Sequence, residues 1–364
     1  VHLPGLNGIR AIAAVAVIVA HTTLLLNTFG LDPFLFGATP EGTPRGTDLA
    51  GFGVSMFFAL SGFLITYLLL LEKEKQPIDV KNFYIRRVLR IHPLYYTYLA
   101  ISVAVIFIYG LQFSWVALFF YVFLAANVPF ILGFELPLVG HYWSLGVEEQ
   151  FYLLYPWIVK KVRNLPVVLI SLITGLVLLK LALRYVHTSY GLTPYNFIHV
   201  TRFQCMLIGA LGAWYFYVRQ PFFLRTTTNV FVQLVSWIAI ALVAINRFHI
   251  ASVLDSEIIS VVTVFIILGQ VTKTNRLINL DFGVFDFLGK ISYGLYVIHP
   301  LVLFFLPKVL GFEMPLVLRY VVVYGLALGV TILIAYLSYE YFEKYFLKLK
   351  SRFSAVVSSA SRTA

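Results

Sequence analysis

The chain has 364 residues, 60% of them hydrophobic and 12% charged, with a mean hydropathy of +0.88. A soluble domain carries about a quarter charged residues, so this chain cannot cover a water-facing surface and its solvent is lipid. The net charge of +11 comes without a helix-turn-helix, zinc-finger or RNA-binding signature, which argues against a nucleic-acid partner. The single cysteine, Cys205, excludes an internal disulfide and a cysteine metal cluster, and the histidines are too scattered to predict a metal site.

Spanning helices, each needing about 20 mostly apolar residues, are predicted over 8–28, 51–71, 91–110, 143–159, 165–186, 201–218, 229–246, 256–272, 287–306 and 316–341. The fold class expected is therefore all-α, a polytopic integral membrane helical bundle with ten spanning helices. The first apolar run is longer than a signal-peptide core and lacks a small-x-small cleavage site, so it reads as a retained helix. Its alanines (Ala11, Ala13, Ala14, Ala16, Ala20) permit close backbone approach and place it inside the bundle. Segment 113–132 is apolar as well, and charge arbitrates. Lys73, Lys75, Lys81, Arg86, Arg87 and Arg90 follow the second span, and Lys160, Lys161 and Arg163 follow 143–159. Arg219 with Arg225, Lys273 with Arg276 and Lys290, and Lys344, Lys348, Lys350 and Arg352 mark further cytoplasmic stretches. This alternation holds only if 111–142 returns to the side it left. Segment 113–132 is thus expected to be re-entrant or interfacial, sheltered by protein. Both termini are expected in the cytoplasm, with a membrane domain over 1–350 and a disordered cytoplasmic tail over 351–364.

Ionisable residues inside spans are costly and mark candidate sites. His21 lies on the first helix, eleven residues after Arg10. Eleven residues are about three turns, so both side chains share a face roughly 16 Å apart along the axis. His21 reads as a general base or as a structural histidine bonded to a carbonyl, and Arg10 alone as an interfacial anchor. Glu148 and Glu149 follow Trp143 and Ser144 at a helix start. One of them could orient the His21 imidazole; the alternative is N-terminal charge complementing the helix dipole, which suits one glutamate better than two. Arg87 and Arg90 share a face, and with Arg86 they form a candidate phosphate clamp or plain positive-inside charge. His299, beside Pro300 in the span 287–306, either lines the site or caps a broken turn. Tyr142, Trp143, Ser144, Tyr293 and Tyr296 are candidate substrate contacts. His92 reads as interfacial, His187, His199 and His249 as solvated, and Cys205 as a small buried residue.

These motifs form an ordered set. Leu6-Asn7-Gly8-Ile9-Arg10 followed by His21, Gly53 to Ile65, Arg86 to Tyr96, Trp143 to Tyr155, Ser292 to Pro300 and Ser338 to Glu343 resemble, in order, the motifs of acyltransferase family 3. Ser55 stands where many members carry Asp, and His92 where Tyr is commoner.

The resemblance implies a multi-pass enzyme of the inner (cytoplasmic) membrane. It would move an acyl group, usually acetyl, from cytosolic acyl-CoA as co-substrate to a hydroxyl of a carbohydrate, glycolipid or similar acceptor, such as a cell-surface polysaccharide, without a metal. Some members add an extracytoplasmic hydrolase-like domain, for which too few residues follow the last span here. In this reading Arg86, Arg87 and Arg90 hold the CoA phosphates and His21 is the base. Glu149, or else Glu148, orients it, and Arg10 with the tyrosines and serine donates hydrogen bonds. The competing expectation is a transporter or exporter of an anionic or lipid-linked sugar.

Overall fold

The computed structural model describes residues 2–39, 42–190, 193–245, 247–248, 250, 253–311 and 314–354; His249 and residues 355–364 of the expected tail lie outside them, as does the His187 side chain. The described residues are helical, without a named strand. The helices are α1 (Leu6–Leu24), α2 (Asp48–Lys75), α3 (Val80–Ile108), α4 (Trp115–Val122), α5 (Asn127–Leu132), α6 (Trp143–Lys161), α7 (Leu165–Tyr190) and α8 (Thr193–Thr201). They continue with α9 (Phe203–Tyr217), α10 (Pro221–Thr227), α11 (Val230–Ala244), α12 (Asp255–Thr272), α13 (Gly283–Lys290), α14 (Ser292–Val309), α15 (Leu316–Ser338) and α16 (Lys344–Ser351). A π turn, Tyr339–Glu343, joins α15 to α16.

Each of the ten expected spans coincides with a helix, yet among the described residues seven helices are long and apolar enough to cross a membrane, or eight if the bent pair α10–α11 is one span. The difference has a physical basis. Helix α9 has only 15 residues, and α6 carries Glu148, Glu149, Lys160 and Lys161. Segment 113–132 does not form a single helix. It breaks into α4 and α5, of eight and six residues, roughly 12 and 9 Å long, against a hydrocarbon core of about 30 Å. Leu124 takes a left-handed φ of 58° between them. Asn127 of α5 pairs with Gln150 of α6 at 2.8 Å, so α5 is sheltered, while Trp115 and Phe119 of α4 stay exposed.

Small residues set the packing at the bundle centre. A Cβ on Gly62 of α2 would sit 1.9 Å from the Met206 carbonyl oxygen, and one on Gly209 of α9 would sit 1.9 Å from that of Ala59. The two backbones therefore touch, as small residues allow in a membrane interior. Helix α1 packs against α2, α13 and α14, with Ala11, Ala13, Ala14 and Ala20 buried.

Candidate active site

Helix α1 carries one polar group at each of two stations. At the first, Arg10 meets Arg87 and Arg90 of α3 in a cavity of about 90 Å³. Glu148 of α6, Ser144, Tyr293 and Tyr296 also line it. Asn7 accepts from Arg10 Nη1 at 3.0 Å and donates to Asp286 at 2.7 Å, which fixes the guanidinium. Burial raises the Asp286 carboxyl pKa, but hydrogen bonds from Lys290 and Asn7 outweigh it and hold the group below its ordinary value. Arg87 lies over the Phe83 and Tyr152 rings, at 5.6 and 5.4 Å, and its buried Nε has no hydrogen-bond partner among the described residues. Three guanidiniums and one carboxylate lining one cavity are an arrangement that can hold an anion.

The third-helix arginines are divided. Arg86 stands outside this cavity: it pairs with the buried Glu72 at 2.8 Å and donates to the Phe353 carbonyl at 2.8 Å. The reason is rotation, since neighbours on a helix point about 100° apart. The same rotation separates the glutamates. Glu148 faces the cavity, and Glu149 contacts His92 at 3.4 Å. The expected carboxylate partner of His21 is thereby replaced.

That partner is His299, which forms the second station. His21 Nδ1 lies 2.6 Å from His299 Nε2, and the rings stack with centroids 4.9 Å apart. His299 is 0% exposed and His21 half-buried, so His21 is the imidazole open to an incoming molecule. The other His299 nitrogen, Nδ1, lies 3.2 Å from the Leu295 carbonyl. A carbonyl only accepts, so Nδ1 carries the proton and Nε2 the lone pair. His21 Nδ1 must then donate, which places the His21 lone pair on Nε2.

A third histidine, absent from the sequence expectations, completes the cluster. The His141 ring centroid lies 5.2 Å from that of His299, and its Nε2 donates to the Val297 carbonyl at 3.2 Å. Pro300 removes one helix hydrogen bond from α14. In the turn around it, Val297 O receives His141 and the Leu301 N–H donates to Tyr98 at 3.2 Å. The signal was present, since His141 stands two residues before the Trp143–Tyr155 block.

Tyr296 joins the two stations. It lines the arginine cavity, its ring lies 6.1 Å from His299, and its hydroxyl contacts Ser144 at 2.6 Å and the His141 carbonyl at 2.9 Å. Tyr293 lines the same cavity and donates to the Ile91 carbonyl at 2.7 Å. Two expected substrate contacts sit elsewhere. Tyr142 is fully buried, stacked on Tyr95 and bonded to its carbonyl at 2.9 Å. Trp143 stacks on Phe130 and receives Arg202 at 5.7 Å. Both support the wall and are not among the residues lining the cavity. His199, expected to be solvated, is half-buried and stacks on Tyr195 with centroids 5.3 Å apart.

The sequence profile described as "Acyltransferase domain" matches residues 3–339. The chain belongs to acyltransferase family 3. Among curated relatives, the O-acetyltransferase OatA of Staphylococcus aureus (strain NCTC 8325 / PS 47) is 29% identical over 380 residues, covering 94% of this chain and 57% of that protein. A putative O-acetyltransferase of S. aureus strain COL is also 29% identical, over 95% of this chain and 58% of its own length. The chain thus spans somewhat over half the length of these relatives. No solved structure matches. The family match runs from α1 to the first residue of the π turn, so α16 lies beyond it.

Proposed function

We propose that this acyltransferase family 3 protein transfers an acyl group, acetyl by preference, from acyl-CoA to a hydroxyl of a carbohydrate or glycolipid. The observation that carries the reading is the His21–His299 pair, at one end of a helix whose other end presents Arg10 to Arg87 and Arg90. The arginine cavity holds CoA phosphate, and the thin pantetheine arm reaches past Ser144 and Tyr296 toward His21. The two stations lie roughly 16 Å apart along α1.

His21 Nε2 takes the proton of the acceptor hydroxyl as its oxygen attacks the thioester carbonyl. The tetrahedral adduct collapses, the carbon–sulfur bond breaks, and the CoA thiolate leaves. The proton on His21 Nε2 passes to that thiolate, so ester and free CoA form and the imidazole returns to its starting tautomer. His299 keeps the orienting role the sequence reading gave to Glu149, since a neutral acceptor suffices to hold the His21 Nδ1 proton. Glu148 offsets part of the arginine charge and leaves a positive excess for the phosphate.

The side assignments rest on charge and proximity. Asn7 near one end of the chain and Lys350 near the other line a shared cavity with Arg90, and Arg86 bonds Phe353. This supports a cytoplasmic face that holds both ends, with the donor there and the acceptor on the His21 side of an inner membrane. Family membership and the O-acetyltransferase relatives favour acyl transfer over a carrier. The test is label transfer from radioactive acetyl-CoA to membrane glycolipid extract by purified protein in nanodiscs. A labelled ester in the extract supports the enzyme, and donor binding with no transfer to any hydroxyl acceptor contradicts it.

A further inference from the structure

Beside the main cavity lies a second, smaller one of about 40 Å³. The two share Arg10, Arg90 and Tyr293, so they are neighbouring compartments of one basic chamber. The smaller one adds Lys290 of α13, Lys350 of α16 and Glu343 of the π turn. Lys290 is already paired with Asp286 at 2.8 Å. Arg10, Arg90 and Lys350 form no ion pair among the described residues. Three unpaired cations beside one carboxylate, at the mouth of a membrane bundle, repel each other and lose hydration. Such a cluster is stable when an anion fills it. Its volume allows about three water-sized sites, at roughly 10–15 Å³ each, which suits the three terminal oxygens of one phosphomonoester.

We infer that this compartment is a phosphomonoester site, in which Lys350 on the helix beyond the family match recognises the ribose 3′-phosphate of CoA while the larger compartment takes the pyrophosphate. The inference rests on the acyl-CoA reading of the function and adds a specificity determinant to it. A CoA molecule carries two separate anionic groups, and the chamber offers two adjacent compartments hinged on Arg10 and Arg90. Lys350 is a compact point charge suited to a phosphate that is also held by guanidiniums. The C-terminal helix is held in place independently, through the Arg86 bond to the Phe353 carbonyl, so a change at Lys350 leaves its docking intact.

The experiment compares acetyl-CoA with acetyl-dephospho-CoA, which lacks only the 3′-phosphate, as donors for wild type, Lys350→Met and Lys350→Arg. The protein is purified in phosphatidylcholine nanodiscs, and monodispersity is checked for each variant. Wild type is expected to show a KM about tenfold lower for acetyl-CoA than for the dephospho donor, the size of one charge-assisted contact. Lys350→Met should raise the acetyl-CoA KM to the dephospho value and leave kcat unchanged, and Lys350→Arg should restore the preference. Equal KM values for the two donors in wild type would overturn the inference while leaving the acyl-CoA function standing, as would a Lys350→Met variant that keeps the full preference. Failure of wild type to use either thioester would instead overturn the acyl-CoA reading on which it depends.

Discussion

A neutral imidazole has one N–H and one lone pair, so whatever holds one nitrogen decides what the other can do. At His21 the holder is His299, itself fixed by the Leu295 carbonyl. In the proposed mechanism His299 is therefore a positioning residue. His299→Phe should lower kcat by roughly 10- to 100-fold through misplacement of the base, with the KM for acetyl-CoA unchanged. His299→Gln, which offers an amide oxygen to the same proton, should recover part of the loss. Steady-state kinetics on both variants checks this, and a KM effect without a kcat effect would remove His299 from the role. The arginines separate in a similar way. Arg86→Ala leaves Glu72 buried without its cation, a loss of about 3 kcal/mol, visible chiefly as a lower melting temperature, with a smaller effect on KM through the lost Phe353 contact. Arg90→Ala should do the reverse, raising KM about tenfold with little change in melting temperature. The sequence could pair Arg87 with Arg90, because spacing of three on a helix fixes a shared face. It could not choose between Glu148 and Glu149, because the rotation of α6 is set by packing against α2 and α3. Nor could it see that His299 reaches His21 across 278 positions of chain.

Helices α2 and α9 meet at backbone distance, and no side chain fits at Gly62 or Gly209. Gly209→Ala should destabilise the bundle by about 1–3 kcal/mol, the usual range for overpacking. Gly329→Ala on α15, where nothing lies within 4 Å of the new carbon, should be neutral or slightly stabilising. Thermal unfolding of the two variants in one detergent gives the comparison, and equal melting temperatures would contradict the close contact. The inward position of α1 was readable from its alanines, since small residues in quantity mark an interface in lipid. The α2–α9 contact was not, because α2 also carries Gly51 and Gly53 and α9 also carries Gly212, and the sequence does not mark which glycine meets which helix. The broken segment 113–132 was half readable. Charge alternation denied it a full span, but the left-handed turn at Leu124 that divides it leaves no mark in hydropathy.

Across the whole molecule, the basic chamber gathers cations from α1, α3, α13 and α16. Composition and charge alternation identified the all-helical membrane protein. The count of spans departs from ten because hydropathy treats each helix alone, whereas α6 and α9 are short or charged and sit among neighbours. A chamber this basic attracts its anionic donor from a distance, so kcat/KM for acetyl-CoA should fall as ionic strength rises past the point where the screening length is about 10 Å. In the proposed mechanism everything turns on His21 as the base for acyl transfer. The measurement that reaches it is CoA release from acetyl-CoA by purified protein in nanodiscs, with a glycolipid acceptor, for wild type beside His21→Ala. The prediction is acceptor-dependent release in wild type and a fall of about 10²-fold or more in the variant, with donor binding and monodispersity preserved. A well-folded His21→Ala protein that releases CoA at the wild-type rate would contradict it.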